Sequence, residues 1–185
     1  MDADRVVVLA DTHLRAETAG RGPARWLPDD VVERLDGAAA VLHAGDIVDQ
    51  EVLDRLGRWA PVHAVLGNND DGLAGRLPVT LELELAGVRI GMIHDSGRAA
   101  GRPDRLRRRF PDCLVVVFGH SHIPVDQVGL DGQVLFNPGS PTQRRRQPYP
   151  TFGELVLGGG RVLERRILAV GPRRDGVSRV SRGGS

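Results

Sequence analysis

Several residue types are scarce or missing in this chain of 185 residues, and each absence excludes a class of protein. The single cysteine, Cys113, excludes an internal disulfide and a thiolate zinc site, and its solitary presence fits a reducing compartment. No apolar run approaches the length of a membrane span, and the first residues, MDADRVVVLAD, lack the basic flank and long apolar core of a secretory signal. We therefore expect a cytoplasmic protein with no membrane partner.

Lysine is also missing, because all 25 basic residues are arginine. A GC-rich genome, which favours arginine, alanine, glycine and valine codons together, is the simpler explanation; the alternative is a functional preference for flat guanidinium contacts. A formal charge of +1 gives no sign of a nucleic-acid partner. A hydrophobic fraction of 41% suits one globular domain, which we place at 1–170. The Gly-, Ser- and Arg-rich segment 171–185 is predicted to be a disordered tail.

The first half of the chain alternates short apolar runs with helical patterns. Strands are expected at 5–10, 40–44 and 61–67, with helices at 27–36 and 49–59 between them. Strands that alternate with helices in this way favour parallel βαβ connections.

The second half is richer in strands. A hairpin is expected around Gly87, followed by a basic helix at 101–110 and a buried strand at 113–119. The segments 125–129, 133–137, 152–158 and 161–168 then predict an antiparallel run joined by glycine turns. Together the halves indicate an α/β protein with two packed sheets and outer helices.

Polar residues follow five of the predicted strands. They are Asp11 and His13, Asp46, Asn68 to Asp70, His94, and His120 with His122. The carboxyl edge of an open α/β sheet is where ligands bind. Carboxylate, imidazole and amide groups together suit divalent ions such as Mn, Fe or Zn. In an extended segment residues i and i+2 point the same way, so Asp11 with His13, and His120 with His122, are each expected to reach the edge together.

The ordered motifs LADTH, HAGDI, LGNND, IHD, FGHSH and NPGS resemble the calcineurin-like metallophosphoesterase superfamily. The similarity is strongest to its small bacterial and archaeal single-domain phosphodiesterases, the YfcE-like branch, and it runs from about Val6 to about Leu168. It implies a four-layer α/β/β/α sandwich of two mixed sheets with a binuclear metal centre.

The resemblance also implies roles for individual residues. Asp11, His13 and His122 would hold one ion, Asn68, His94 and His120 the other, and Asp46 would bridge them. A hydroxide between the two ions would attack phosphorus in line with the leaving oxygen. The ions would be Mn, with Ni, Fe, Zn, Co or Mg as alternatives. Family members often form dimers or tetramers, so a homo-oligomer is one expectation.

Two positions depart from the family pattern. Where many members have a histidine that protonates the leaving group, this chain has Asn69, which can donate a hydrogen bond but no proton. We therefore expect poor activity on esters with basic leaving groups and better activity on aryl esters, and we assign Asn69, Asp70 and Asp46 to catalysis. After His94 the chain continues Asp95-Ser96, where H-G-H is frequent in the family.

The NPGS turn and the following arginines supply candidate substrate contacts, namely Ser140 and Arg144, beside Asn69. The arginine run 143–147 would either steer anions or keep an exposed edge soluble. His43 is expected to support the site or to pack inside its strand, His63 to be structural, and Cys113 to fill the core.

Three functions compete at this point. A phosphodiesterase acting on a small phosphoester or nucleotide-like substrate is favoured, because all seven ligands expected from the family are present. A phosphomonoesterase or nucleotide phosphatase is the second, and Asn69 argues against it. A non-catalytic scaffold is the third, and the retromer subunit with this fold resembles such a case.

Overall fold

The computed structural model describes residues 3–15 and 26–171, in which ten strands and three α-helices are found. The helices are α1 (Asp29–Leu35), α2 (Gln50–Leu56) and α3 (Arg102–Arg109). The strands are β1 (Asp4–Leu9), β2 (Ala40–His43), β3 (Val62–Ala64), β4 (Thr80–Leu85), β5 (Val88–Ile93), β6 (Val115–Val117), β7 (Val125–Val128), β8 (Val134–Asn137), β9 (Thr151–Gly158) and β10 (Arg161–Ala169). The predicted tail from 172 onwards lies outside the described residues.

The first sheet has the order β10-β9-β1-β2-β3, and its strands β1, β2 and β3 are parallel. Strand β1 is apolar on both faces because both faces are covered. Val6 and Val8 pack towards the second sheet, whereas Val7 and Leu9 pack in the cluster that contains the apolar side chains of α1 and α2. The βαβ connections predicted for the first half of the chain are confirmed.

The second sheet has the order β4-β5-β6-β8-β7, with β5, β6 and β8 parallel. Its outer face is covered by α3, which inserts Leu106 beside Phe110 and Cys113. The two sheets and their helices form the four α/β/β/α layers that the family resemblance implied. Cys113 is a buried core residue, as expected.

One predicted feature of the topology is wrong. The strands β7, β8, β9 and β10 were expected as one antiparallel run, but the hairpin β7–β8 lies in the second sheet and the hairpin β9–β10 in the first. Strand β8 pairs with β6 on one side and with β7 on the other, so it has no free edge for β9. Strand β9 instead pairs with β1, and segment 138–150 crosses between the sheets.

None of the helices within residues 3–15 and 26–171 combines the length and apolar character needed to cross a bilayer.

Candidate metal centre

The loops that follow β1, β2, β3, β5 and β6 meet at one end of the sandwich. Backbone hydrogen bonds tie them together, with Asp11 N–H donating to the Gly45 carbonyl (3.0 Å) and Gly119 N–H to the His94 carbonyl (2.9 Å). This end carries all seven residues that the family resemblance assigned to metals. Two sheets contribute to it, because β1, β2 and β3 belong to the first and β5 and β6 to the second.

Asp11, His13 and His122 form the first group, and their candidate ligand atoms lie within 4.8 Å of one another. His122 Nε2 lies 3.3 Å from His13 Nε2 and 3.5 Å from Asp11 Oδ1. The Nδ1 of His122 donates to the Gln143 carbonyl (3.0 Å), because a carbonyl can only accept. That bond leaves the Nε2 lone pair of the neutral ring directed at the group, which is how proteins orient histidine ligands.

Asn68, His94 and His120 form the second group around one amide oxygen. Asn68 Oδ1 lies 3.1 Å from His94 Nε2 and 2.8 Å from His120 Nδ1. The Nδ1 of His94 donates to the Ala44 carbonyl (2.7 Å). His94 Nε2 therefore faces oxygen atoms. A proton or a metal cation can occupy the space between that nitrogen and those oxygens. Burial opposes the charged ring, but hydrogen bonds with Asp46 and Ala44 outweigh it and raise the pKa of His94.

The carboxylate of Asp46 lies between the two groups. Its Oδ2 is 3.5 Å from His13 Nε2 and its Oδ1 is 3.5 Å from His94 Nε2. Asn69 holds it in place by donating its backbone N–H to Oδ1 (2.8 Å) and its Nδ2 to Oδ2 (2.7 Å). Asp11 also has oxygens within 4.8 Å of Asp46 and His94 ligand atoms. Both carboxylates thus lie among the imidazole nitrogens of the site.

The two carboxylates differ in how well the protein satisfies them. Burial raises the pKa of Asp11 to about 7, although the charges of His94 and Arg145 oppose it. Its Oδ2 is buried and has no hydrogen-bond partner among the described residues. Burial acts on Asp46 in the same direction, but hydrogen bonds from His94 and Asn69 hold its pKa well below its usual range. An orphaned carboxylate oxygen beside imidazole nitrogens is a donor set that fits a divalent cation.

Backbone geometry accounts for the convergence in a way that the sequence did not predict. Asp11, His13, Asp46, His120 and His122 all have left-handed φ values, between 45° and 68°. The expectation that the two i, i+2 pairs lie in extended segments is therefore wrong. The backbone instead turns at each of these five residues. A left-handed turn costs about 1 kcal/mol per residue and is typical of functional sites.

Two glycines make room for these turns. Gly45 has a φ of +86°, and a Cβ there would lie 2.7 Å from His94 Nδ1. A Cβ on Gly67 would overlap the backbone nitrogen and a carboxylate oxygen of Asp46. Both positions need glycine for close approach.

A sequence model of the calcineurin-like phosphoesterase superfamily domain matches residues 5–157. The chain belongs to this family.

Several relatives of this calcineurin-like phosphoesterase show the same family and fold. A probable metallophosphoesterase of Methanocaldococcus jannaschii is 36% identical over 142 residues, which are 75% of this chain and 68% of that protein. A Thermotoga maritima protein solved by NMR in solution is 30% identical, with a TM-score of 0.65, and the match covers 90% of this chain and 99% of that one. Vacuolar protein sorting 29 from Cryptosporidium parvum has a TM-score of 0.69 at 21% identity, covering 90% and 98%, and thus shares the fold.

Asp70 of this calcineurin-like phosphoesterase is fully buried behind the ligands. Its Oδ2 accepts the backbone N–H groups of Asp46 (2.9 Å) and Gly67 (2.7 Å), and its Oδ1 accepts that of Val48 (2.7 Å). Because both oxygens are engaged with backbone donors, the geometry gives Asp70 an orienting role behind Asp46. The predicted catalytic role of Asp70 is therefore limited to positioning.

The residues expected to contact substrate in and after the NPGS turn make other contacts in the structure. Ser140 is 1% exposed, and its hydroxyl donates to the Asp11 carbonyl (2.8 Å), so it supports the ligand loop and does not line a pocket. Thr142, which no sequence motif singled out, donates to the Thr12 carbonyl (2.7 Å). Arg144 is exposed and donates to the Gln147 carbonyl within its own turn (2.9 Å).

His43 supports the site from behind, which is one of the two roles expected for it. Its Nε2 lies 3.0 Å from Thr12 Oγ1, next to the first ligand loop. Burial lowers the pKa of His43 to about 3, so the ring is neutral. His63 lies half-buried within β3, where the sequence placed it as a structural residue.

Proposed function

We propose that the protein is a divalent-metal-dependent phosphodiesterase with a binuclear centre. The observation that carries the proposal is the meeting of seven ligand-type side chains at one end of the sandwich, among them Asp11 with its orphaned Oδ2, in a chain of the calcineurin-like phosphoesterase family. Two bound ions would act as Lewis acids, neutralising charge on phosphoryl oxygens and lowering the pKa of a bound water. Asp11, His13 and His122 would hold one ion, and Asn68, His94 and His120 the other.

The chain's own groups prepare this site before substrate arrives. The carbonyls of Ala44 and Gln143 fix the rings of His94 and His122 through Nδ1, and Asn69 fixes both oxygens of Asp46. Ligands held in this way need little rearrangement on binding, which is the basis of electrostatic preorganisation. The completeness of the ligand set argues against a purely scaffolding protein.

The preference for diesters rests on the group next to the site. Asn69 stands where a proton-donating histidine is frequent in the family, and its Nδ2 is engaged with Asp46. The two non-ligand histidines are inside the fold, at His43 and His63. These two histidines therefore do not replace the missing one, and we expect esters with acidic leaving groups to react best.

The first test is hydrolysis of bis-p-nitrophenyl phosphate with Mn²⁺ or Ni²⁺, before and after chelation, in the wild type and in Asp46→Ala. Metal-dependent turnover that the variant loses supports the proposal. Turnover that persists in EDTA or in Asp46→Ala contradicts it.

A second test addresses the missing acid. Across a series of aryl phosphodiesters, the wild-type rate should fall steeply as the leaving-group pKa rises. Asn69→His should flatten that dependence, because an imidazole can supply the proton. A wild-type rate that does not depend on the leaving group would exclude this explanation, and p-nitrophenyl phosphate run in parallel distinguishes a monoesterase.

A further inference from the structure

A cleft of about 630 Å³ opens between the edge strands β7 and β10, which belong to different sheets. Leu114, which directly precedes β6, and Val134, which begins β8, both line it. The metal-centre residue His120 follows the other end of β6, so the cleft lies at the end of the sandwich remote from the candidate site. What binds in this cleft is therefore a question separate from the proposed function.

The walls of the cleft include apolar side chains that reach solvent. Leu114, Val128 and Leu163 are 36%, 56% and 53% exposed, and all three line this one concavity. Single exposed apolar side chains are ordinary on a protein surface, whereas several around one cleft mark an interaction surface. This end of the sandwich thus has the character of a binding surface.

A β-bulge places Leu163 at the rim of the cleft. In the ladder with β9, Val162 pairs with Leu157 and Glu164 pairs with Val156, so Leu163 is an extra residue without a partner. A bulge redirects a side chain and interrupts the edge of its strand, which hinders a foreign strand from extending the sheet. Contacts through side chains are therefore the way to cover this edge, and the chain presents an exposed leucine beside an apolar hollow.

The bulge also brings two opposite charges to one face of β10. Arg161 pairs with Gly158 in the ladder, and Glu164 pairs with Val156. Because those two partners lie two residues apart on β9, Arg161 and Glu164 face the same side of their sheet. The Arg161 guanidinium has no hydrogen-bond or ion-pair partner among residues 3–15 and 26–171, whereas Glu164 contacts Arg166.

A two-fold axis at the edge of β10 would make this surface complementary to itself. If the axis passes between Val162 and Leu163, Arg161 of one copy comes opposite Glu164 of the other, and this pairing occurs twice. The same rotation sets Leu163 of one copy against Val162 of the other, which lines the second cleft. An isologous interface needs both members of each contact on one patch. This patch has the leucine and its hollow, and it has both signs of charge.

We propose that this cleft is the interface of a symmetric homodimer, in which Leu163 of each copy fills the cleft of the other and Arg161 pairs with Glu164 across the two-fold axis. A foreign apolar segment would fill the hollow, but it would not account for the projecting leucine and the unpaired arginine beside it. A second copy accommodates all three features. The two metal centres then lie at the outer ends of the dimer, where both are open to substrate.

Sedimentation equilibrium of the full chain, at concentrations up to about 100 µM, measures the dimer. The wild type should have twice the mass of one chain. Leu163→Asp should raise the dimer dissociation constant at least about 30-fold, as the loss of a central contact does. Val79→Asp places the same charge on a valine that is 68% exposed and lies near the metal-centre end of β4, so it should leave the dissociation constant unchanged. Matching far-UV circular dichroism spectra control for the folding of both variants.

Mixing two charge variants tests the pairing between copies. Arg161→Glu and Glu164→Arg, each alone, set like charges opposite each other and should weaken the dimer about 10-fold. A mixture of the two variants restores opposite charges at both contacts, so it should dimerise more tightly than either variant alone. A wild type that stays monomeric at about 100 µM, a dimer that Leu163→Asp leaves intact, or a mixture that dimerises no more tightly than its components would overturn the proposal.

Discussion

Replacing Asp11 with asparagine should stabilise the chelated protein against unfolding while it abolishes metal-dependent activity. The carboxylate is fully buried, and its Oδ2 has no hydrogen-bond donor among the described residues. Asparagine has nearly the same shape and carries no charge to bury. The variant therefore separates what the site needs for binding from what the fold needs for stability.

The size of the effect follows from proton linkage. Burial raises the pKa of Asp11 to about 7 in the folded chain from its ordinary value of 3.8, so between these values the folded state binds a proton that the unfolded state releases. The free energy of unfolding must then fall as pH rises through this window. The cost of Asp11 relative to a neutral residue is about 2 kcal/mol at pH 5 and about 4 kcal/mol at pH 8.

Urea denaturation of both proteins in EDTA at pH 5 and pH 8 measures this cost. The stability advantage of Asp11→Asn should grow by about 2–3 kcal/mol between the two pH values, while titrations common to both proteins cancel in the difference. Mn²⁺ at 1,000 times its Kd should cancel the advantage at pH 8, since a ligand at that concentration stabilises the wild type by about 4.1 kcal/mol. An advantage that is absent, or that shrinks as pH rises, would refute the reasoning.

Three further outcomes follow from the packing around the site. Gly67→Ala should destabilise the protein by more than about 2 kcal/mol and abolish activity, because the new methyl group overlaps Asp46, whereas Gly72→Ala, which has open space around it, should be neutral in melting temperature and rate. Asp70→Asn should cost about 2–3 kcal/mol by leaving a buried backbone donor unpaired and should lower kcat with little change in KM; unchanged urea midpoints would contradict this. His43 has a pKa of about 3 in the folded chain, so as pH falls from 7 to 5 its ring gains a proton in the unfolded state but not in the folded state. The wild type therefore loses stability over this range, and His43→Gln should remove about 2 kcal/mol of that loss. Identical pH profiles for variant and wild type would count against this expectation.

The sequence predicted the parts of the fold that local patterns determine. The apolar run of β1 and the helices after it indicated parallel strands. The hairpin expected around Gly87 is formed by β4 and β5, and Leu81 and Leu83 of β4 pack against the core. The sheet to which β9 belongs could not be predicted, because strand pairing depends on which edges other strands leave free. That information is absent from the strand's own residues.

The candidate site was likewise predictable from the sequence only in part. Residue types at strand ends predicted where the site lies, and the family resemblance selected the seven ligands, whose roles stay predictions until metal is bound. The left-handed turns at Asp11 and His122 could not be predicted, since aspartate and histidine adopt them only where the surrounding loops enforce them.

The division of the ligands between the two sheets has a consequence for how the protein is made. Asp46 and Asn68 follow strands of the first sheet, whereas His94 and His120 follow strands of the second. The first sheet is itself incomplete until β9 and β10 arrive from the end of the chain. In a nascent or half-folded chain the candidate ligands are thus apart, and a site that needs all of them can form only after both sheets are complete. Metal loading would then serve as a report that synthesis and folding have finished.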